Sequence, residues 1–551
     1  MAKTNTPSFV ISLVLDLEKQ QKKDFIISTI NKESEINRQL YNACLGELLK
    51  REKQVKRRRI YKKLVRQNRA ISKQISLFEE IMKKDKTNDA YKKSMKHYRN
   101  EKKAVMEQIF DLQKECGLSE YSMHEYIKPM RSHFHNKLNS IVAQKTATKA
   151  WNTFRKKLIG EAKKVRFIPR GESVSFEGKN NATGWRFSEG KIVYQKLNVP
   201  LKVKENDLYM QEALSRIEHE EEFAYTNADG KKLKSNCKVK YVRILKKEIR
   251  GKERYFAQLV CQGYPPVKKD GSGKEKYPLG KGRVGGDIGT STMAFVGDKQ
   301  LSLFNLGEQI KQIDDVERKI QLLQRSLDRS KRATSPDYFD DKGRIKKGKK
   351  TWVYSNRYKR NRQKLHELQR KVAVYRKLSH QYMANRIKLY GNEFYIEKMN
   401  IRGLQKRAKE TTISEKTGKY QKKKRFGKSI ANRAPSSFIS ILKDKVKNSG
   451  GSFEEVNTTT FKASQYNHKT GECTKKPLAQ RWHLFDEGDE KVQRDLYSAF
   501  LLKNSKANKQ TPNKTLCDKT YKSFKELHDE EIKKIESMKN VVLNSGIKSA
   551  I

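Results

Sequence analysis

Three acidic residues stand in contexts that a surface carboxylate rarely occupies. Asp287 ends the segment Val284-Gly285-Gly286 and precedes Ile288-Gly289-Thr290. Glu397 closes Phe394-Tyr395-Ile396 and precedes Lys398-Met399-Asn400, and Asp495 opens a stretch bearing Leu496, Ala499 and Phe500. Half-buried carboxylates cost free energy unless they are paired or bound to cations. Three brought together would repel, and a divalent metal is the usual remedy. Mg²⁺ takes oxygen ligands and keeps several waters, so a few carboxylates plus a substrate phosphate suffice. Two such ions can activate a water and stabilise the leaving oxygen of a phosphodiester. The chemistry indicated is metal-dependent phosphodiester hydrolysis. Each residue also has a plainer reading: an Asp before glycine is commonly a turn residue, and an Asp at a helix start is commonly a cap. Spacing alone does not bring the three together.

Other chemistries find little support. The ten histidines form no HExxH and no paired acid–base motif. Gly280-x-Gly282-x-x-Gly285 has the letters of a dinucleotide fingerprint, but it precedes a strand where the fingerprint links a strand to a helix.

The elements that must position the three acids follow from periodicity. Phe9 to Leu15 reads as a strand, too short for a signal peptide. Residues 31–148 repeat apolar side chains at helical intervals (Leu40, Cys44, Leu48; Val105, Ile109, Leu112) amid Lys and Arg, which predicts a helical lobe. Between 149 and 276, short β-branched and aromatic runs bounded by Gly, Asn and Pro predict a small β domain, a barrel in its simplest form, with Val239–Ile249 and Tyr255–Cys261 as a hairpin. Pro265–Gly282, with Gly271, Gly273 and five lysines, reads as a flexible linker. Val284–Asp287 and Met293–Val296 then read as strands. Two amphipathic helices follow, one through Ile310, Ile313, Val316, Ile320, Leu323 and Leu327, the other through Leu365, Leu368, Val372, Tyr375 and Tyr382. Phe394–Glu397 and Phe453–Val456 are strands, Arg494–Leu502 a helix, and a charged helix around 521–539 lies in a polar, lysine-rich tail.

Charge names the partner. Lys and Arg number 123 against 63 Asp and Glu, a net +60 spread along the whole chain. A compact protein with that excess repels itself unless a polyanion shares the charge, and a diffuse excess suits a long channel lined with phosphate contacts. Six scattered cysteines without a CxxC fit a reducing compartment, and no run is long enough to span a membrane, so a cytoplasmic protein is expected.

The order of the three acidic motifs resembles the split RuvC nuclease of the TnpB proteins and the compact type V CRISPR effectors. Gly286-Asp287-Ile288-Gly289 is similar to the first RuvC motif, Tyr395-Ile396-Glu397-Lys398-Met399-Asn400-Ile401 with Leu404 to the second, and Arg494-Asp495 with Ala499 to the third. Thr459-Thr460, Ser464-Gln465 and Arg481-Trp482 resemble the approach to the family's zinc ribbon. The resemblance spans 285–502 well and, upstream, the organisation only. It implies a multidomain α+β protein: a first part of a β (wedge) domain at 1–30, a helical recognition lobe at 31–148, and the wedge continued at 149–276. An RNase H-like RuvC α/β nuclease domain follows at 277–461, with a degenerate zinc-ribbon-like insertion for target nucleic acid at 462–490, a third motif at 491–505 and a basic tail at 506–551. It further implies a prokaryotic RNA-guided DNA endonuclease with Asp287, Glu397 and Asp495 as catalytic residues and ligands of two Mg²⁺ ions, and guide RNA and target DNA as partners.

One departure concerns zinc. The 468–489 region holds only Cys473, His468 and His483, short of the four ligands a structural site wants, so no structural zinc is expected and packing such as that of Trp482 would hold the segment. A guide–target duplex is read through its backbone. Arg402, Lys406 and Arg407 follow the second motif closely enough to hold scissile-strand phosphates. Lys422, Lys423, Lys424 and Arg425 sit in a basic loop that reads equally as a lid or as a solvated loop, and Lys56, Arg57, Arg58 and Arg59 form a dense basic run in the helical lobe. Trp185 and Tyr194 read as core residues ahead of RNA-stacking ones. A monomer is expected, with a homodimer as the alternative. The other functional readings are guided DNA binding without cleavage and an RNase H-like transposase, and the sequence leaves CRISPR effector and transposon-encoded nuclease undecided.

Overall fold

Alternation of apolar and polar residues makes Ser8–Leu15 a strand (β1) that buries Ile11, Leu13 and Leu15 on one face. The computed structural model describes residues 7–18, 20–84, 89–135, 137–226, 232–310, 314–341, 343–406, 410, 412–413, 418, 427–477, 479–485, 490–538 and 542–548. These fall into two units, Met1–Glu221 with Asn236–Tyr264, and Glu222–Ser235 with Pro265–Ile551.

In the first unit the chain leaves β1 for five helices: α1 (Lys23–Arg57), α2 (Arg59–Lys84), α3 (Asp89–Glu115), α4 (Glu120–Ser132) and α5 (Ser140–Leu158). It returns through β2 (Phe176–Glu177), β3 (Arg186–Ser188), β4 (Lys191–Tyr194), β5 (Leu197–Lys202) and α6 (Leu208–Glu218). After a separate hairpin, β6 (Glu222–Thr226) and β7 (Lys232–Asn236), which up to Ser235 is assigned to the second unit, the first unit resumes with the long strands β8 (Lys238–Ile249) and β9 (Lys252–Gln262). The seven-stranded sheet runs β2-β8-β9-β1-β5-β4-β3 and curls into a half-barrel. Because β1 pairs with β9 and β5, the helical block is an excursion from this sheet. The β8–β9 turn is Arg250-Gly251, both at positive φ (53° and 74°), the tight turn whose twist matches antiparallel strands. Trp185 and Tyr194 stack on each other at 4.5 Å and both donate to the buried Glu33 of α1, which makes them core.

The second unit is built on β10 (Arg283–Ile288), β11 (Thr292–Val296), β12 (Leu301–Asn305), α7 (Asp314–Thr334), α8 (Asn356–Lys388), β13 (Glu393–Glu397), α9 (Ile401–Leu404), α10 (Gly427–Arg433), α11 (Pro435–Asn448) and β14 (Ser452–Val456). It continues through α12 (Thr458–Phe461), β15 (Trp482–Leu484), β16 (Lys491–Gln493), α13 (Arg494–Lys503) and α14 (Lys514–Glu536). Its five-stranded sheet has the order β12-β11-β10-β13-β14. The first three strands form an antiparallel meander, and β13 and β14 run parallel to β10. One sheet face packs Val284, Ile288, Phe295 and Ile396 against Met383 and Ile387 of α8 and Phe438 and Leu442 of α11. The other packs Ala294, Val296 and Val456 against Leu496, Ala499 and Phe500 of α13 and Phe524 of α14.

Two sequence expectations need correction here. The first of the two amphipathic helices, α7, begins at Asp314, so Ile310 does not start its apolar stripe: it is 49% exposed, and its N–H donates to Ser379 Oγ. Ile313 lies outside the described residues. The 265–282 segment is not a free linker either. Asp270 Oδ1 accepts from the N–H groups of Ser272 and Lys274, and Glu275 pairs with Lys388 Nζ at 2.9 Å. Gly280 is there for space, since a Cβ would stand 2.2 Å from the Leu389 carbonyl oxygen.

Candidate active site

The two central parallel strands set the first two carboxylates. Gly286 of β10 lies opposite Ile396 of β13. One residue further along stand Asp287 and Glu397, neighbours at the carboxyl ends of parallel strands, where open α/β sheets bind ligands. Side chains alternate along a strand. A Cβ on Gly286 would meet the Ile396 and Phe295 side chains, whereas one on Gly285 would meet α13. Asp287 and Glu397 therefore share the α13 face with Gly285.

Helix α13 brings the third. Asp495 lies in its first turn, and Ala499, one turn on, lies directly over Gly285. A Cβ at 285 would be 1.9 Å from the Ala499 carbonyl oxygen and 2.4 Å from the Lys503 nitrogen. Glycine is what allows helix and strand to approach this closely, and that approach carries Asp495 toward the other two acids.

The helix start is held from both sides. The Gln493 side chain accepts from the N–H groups of Asp495 and Leu496 at 2.8 Å each, and its Nε2 donates to the Ser545 carbonyl at 3.2 Å. The Gln493 N–H donates to His528 Nε2 of α14 at 2.9 Å. Arg494 Nε stands 3.5 Å from Asp495 Oδ1, while its Nη1 donates to the Gln480 carbonyl at 2.9 Å. Sequence reasoning did not find Gln493 as a positioning residue, because Gln is not among the side chains that ordinarily cap helices.

The electrostatics follow from this packing. Burial pushes the Asp287 carboxyl well above the usual carboxylate range. The charges of Glu397 and Asp495 push it further, as does the hydrogen bond to Glu397, and Arg494 offsets them in part. Glu397 is raised as well, by burial first; the hydrogen bond from Asp287 opposes this and the Asp495 charge adds to it. The three carboxylates thus interact as one group, in which burial and mutual repulsion disfavour the charged forms of Asp287 and Glu397.

Such a set fits a hard divalent cation in donor chemistry: it offers carboxylate oxygens only, and its mutual repulsion calls for positive charge. Among the described residues no three His, Cys, Asp or Glu side chains form a ready-made metal cage. That is compatible with Mg²⁺, which uses one or two carboxylates and fills its remaining positions with water and phosphate oxygens.

The segment compared with a zinc ribbon is organised around aromatic rings. His468 and His483 are buried, and Cys473 is exposed and bridges Tyr466. His468 Nδ1 lies 2.7 Å from the Tyr497 hydroxyl, which also accepts from the His468 N–H. The His483 ring packs 4.4 Å from Tyr497 and 4.7 Å from Phe485, and Phe485 and Phe500 close the group around Tyr521. The centre of this packing is Tyr497 of α13, so the segment is anchored to the helix that carries Asp495. Trp482 is only partly buried and donates to the Gly546 carbonyl at its edge.

Of the candidate nucleic-acid contacts, Lys56 and Arg57 end α1, Arg58 turns the chain and Arg59 begins α2; all four are exposed, with Lys56 paired to Glu52 at 2.7 Å. Lys406 is exposed just past α9, and Arg402 belongs to the α9 backbone. Arg407, Lys422, Lys423, Lys424 and Arg425 lie outside the described residues. No helix among the described residues is long and apolar enough to cross a membrane.

No protein-family model matches the chain, and no curated protein matches it. Among solved structures it is similar to the cryo-EM structure of the Cas12f1–sgRNA–target DNA complex, at 13% identity over 91% of this chain and 99% of that one, with a TM-score of 0.41.

Proposed function

We propose that the chain is an RNA-guided DNA endonuclease that hydrolyses a phosphodiester with Mg²⁺ at Asp287, Glu397 and Asp495. The observation that carries the reading is the convergence of three carboxylates from two parallel strand ends and one helix start into a single interacting group. The strand order β12-β11-β10-β13-β14, with its meander and two parallel additions, supports an RNase H-like reading of the unit. The guided character rests on the resemblance of the three motifs and on a net charge of +60.

In this mechanism Asp287 and Glu397 present carboxylate oxygens side by side, and Asp495 presents a third from the facing helix. Asp287, Glu397 and Asp495 would hold Mg²⁺, which would supply Lewis acidity toward the phosphodiester and make water a better nucleophile. Gln493 and Arg494 fix the Asp495 backbone and carboxylate, so that the anionic group is organised before substrate arrives. Lys406, exposed beyond β13, is available to a phosphate of the cut strand.

The test begins with protein purified from cells carrying its native locus, together with the RNA that accompanies it. The reading expects one abundant RNA with a constant part and a variable part, and Mg²⁺-dependent cutting of DNA matching the variable part. Asp287→Ala and Glu397→Ala should each abolish cutting and leave RNA retention intact. Normal cutting by either variant would overturn the site assignment; heterogeneous or absent RNA would overturn the guided one.

A further inference from the structure

The loop joining α7 to α8 folds into a compact knob. Its turn closes on Asp340, whose N–H donates to the Arg344 carbonyl at 2.8 Å and whose Oδ1 accepts from the Arg344 N–H at 2.6 Å. The Lys346 N–H donates to the Tyr338 carbonyl at 2.9 Å, and the Tyr338 hydroxyl to the Thr351 carbonyl at 3.2 Å. Thr334 Oγ1 of α7 donates to the Val353 carbonyl at 2.8 Å, and the Ser330 and Ser355 hydroxyls meet at 3.0 Å.

Trp352 is its centre. Lys331 Nζ sits 3.5 Å from the ring centroid, Tyr338 meets the ring edge-on at 5.2 Å, and Phe339 lies at 5.9 Å. Arg332 covers Phe339 at 4.7 Å, Lys350 lies over Tyr338 at 5.6 Å, and Tyr354 stacks on Tyr358 at 4.4 Å.

The charge around these rings is one-sided. Between Asp341 and Glu367 the sequence holds eleven Lys and Arg and no Asp or Glu. None of the ten that lie among the described residues stands in an ion pair, and Arg344, Lys346, Lys347, Lys349, Arg357, Arg360 and Lys364 are exposed. Arg357, Arg360 and Lys364 also share one face of α8, at helical spacings of three and four. Asp337, Asp340 and Asp341, in the first turn, are the knob's acids, and Asp340 is committed to the turn.

We infer that this knob binds the phosphate backbone of a nucleic-acid double helix, as a surface separate from the carboxylate site. A rigid, unneutralised cationic surface is what a phosphate backbone selects. Single-strand binders offer ring faces on which bases stack. Here the aromatic rings are spent on one another and on Lys331, Arg332 and Lys350, so the cations are left to read backbone shape. The inference deepens the proposed function by adding a contact surface. It rests on nucleic acid being the partner and not on the carboxylates.

The test compares the full chain with K346A/K347A/K349A and with Trp352→Ala, using fluorescence anisotropy on an RNA duplex, a DNA duplex and single strands of equal length across a salt series. Each lost phosphate contact lowers the slope of log affinity against log salt by about 1, so the triple variant should lose about 2–3 on duplex. Trp352→Ala, which removes no charge, should lose part of the same slope because the ring holds the loop. A loss confined to RNA duplex or to DNA duplex identifies which helix the knob holds. An unchanged duplex slope, or an equal loss on single strands, overturns the inference, and a full slope in Trp352→Ala overturns the role of the ring. Cutting by Asp287→Ala, read in the cleavage assay above, is scored apart from these slopes, so a failure of the nuclease reading is visible separately.

Discussion

Replacing Gly285 with alanine inserts one methyl group between the central strand and the helix that carries Asp495. The new Cβ would lie 1.9 Å from the Ala499 carbonyl oxygen and 2.4 Å from the Lys503 nitrogen, both backbone atoms of α13 that no rotamer change can move. Restoring contact at 3.4 Å requires helix and strand to part by about 1.5 Å at this point, and close-packed interiors pass such a displacement on to their neighbours. Asp495 stands one turn before Ala499 and moves with it. Overpacking of this kind costs about 1–3 kcal/mol of stability. A displacement of about 1 Å at a catalytic group costs on the order of 100-fold in rate. The expected result is a folded protein, some degrees less stable, that retains its RNA and cuts target DNA at least about 100-fold more slowly. Single-turnover cleavage at saturating Mg²⁺ reads the rate, and thermal denaturation reads the stability. Gly391→Ala is the matched control: its Cβ would stand 2.3 Å from the Gly282 carbonyl oxygen, a comparable backbone clash before the start of β13, away from Glu397. If Gly285→Ala cuts within twofold of wild type, or slows no more than Gly391→Ala at equal loss of stability, the close approach of α13 does not set the site.

Three further outcomes follow from the same geometry. Asp287 is held above its ordinary value, so the metal-free fold keeps a proton that the unfolded chain releases, and stability falls as pH rises above the free-aspartate value of 3.8. Asp287→Asn should therefore raise the metal-free Tm at neutral pH and flatten that decline. Mg²⁺ at about 100 times its Kd should add about 2.7 kcal/mol to the wild type and little to the variant, measured by thermal shift. Burial holds His468 at about 4 and His483 at about 3, both below the ordinary 6.5. Each contributes stability that is complete above 6.5 and lost as pH falls toward the folded value, about 2 kcal/mol for His468 alone by pH 5. His483→Phe should flatten the acid limb of a Tm-against-pH curve, and an unchanged limb would refute the assignment. Gln493→Ala removes the cap on Asp495 and Leu496, worth about 1 kcal/mol, and should slow cleavage more than its loss of stability explains. Equal cleavage at equal folded fraction would show that the cap serves the helix alone.

What the sequence could and could not reveal divides along physical lines. Asp287 and Glu397 were legible because each closes an apolar strand, and strand ends are written in local pattern. Asp495 was legible as a helix start, but its arrival at the other two depends on Gly285, and nothing local says that a glycine in a strand exists to admit a helix 214 residues later in the chain. In sequence Gly285 was only the last letter of a false dinucleotide fingerprint. Cap residues such as Gln493 were hidden because their partners, the 545 carbonyl and His528, come from distant segments. What holds His468 and His483, the rings packed around Tyr497, is a tertiary fact that local pattern does not carry. Both hidden features converge on α13: Gly285 sets its distance from β10, and Tyr497 ties it to the histidine-bearing segment. Asp495 is therefore the carboxylate whose position depends on the most distant parts of the chain. Perturbing either support should move Asp495 before it moves the Asp287–Glu397 pair, which the β10–β13 register holds by itself.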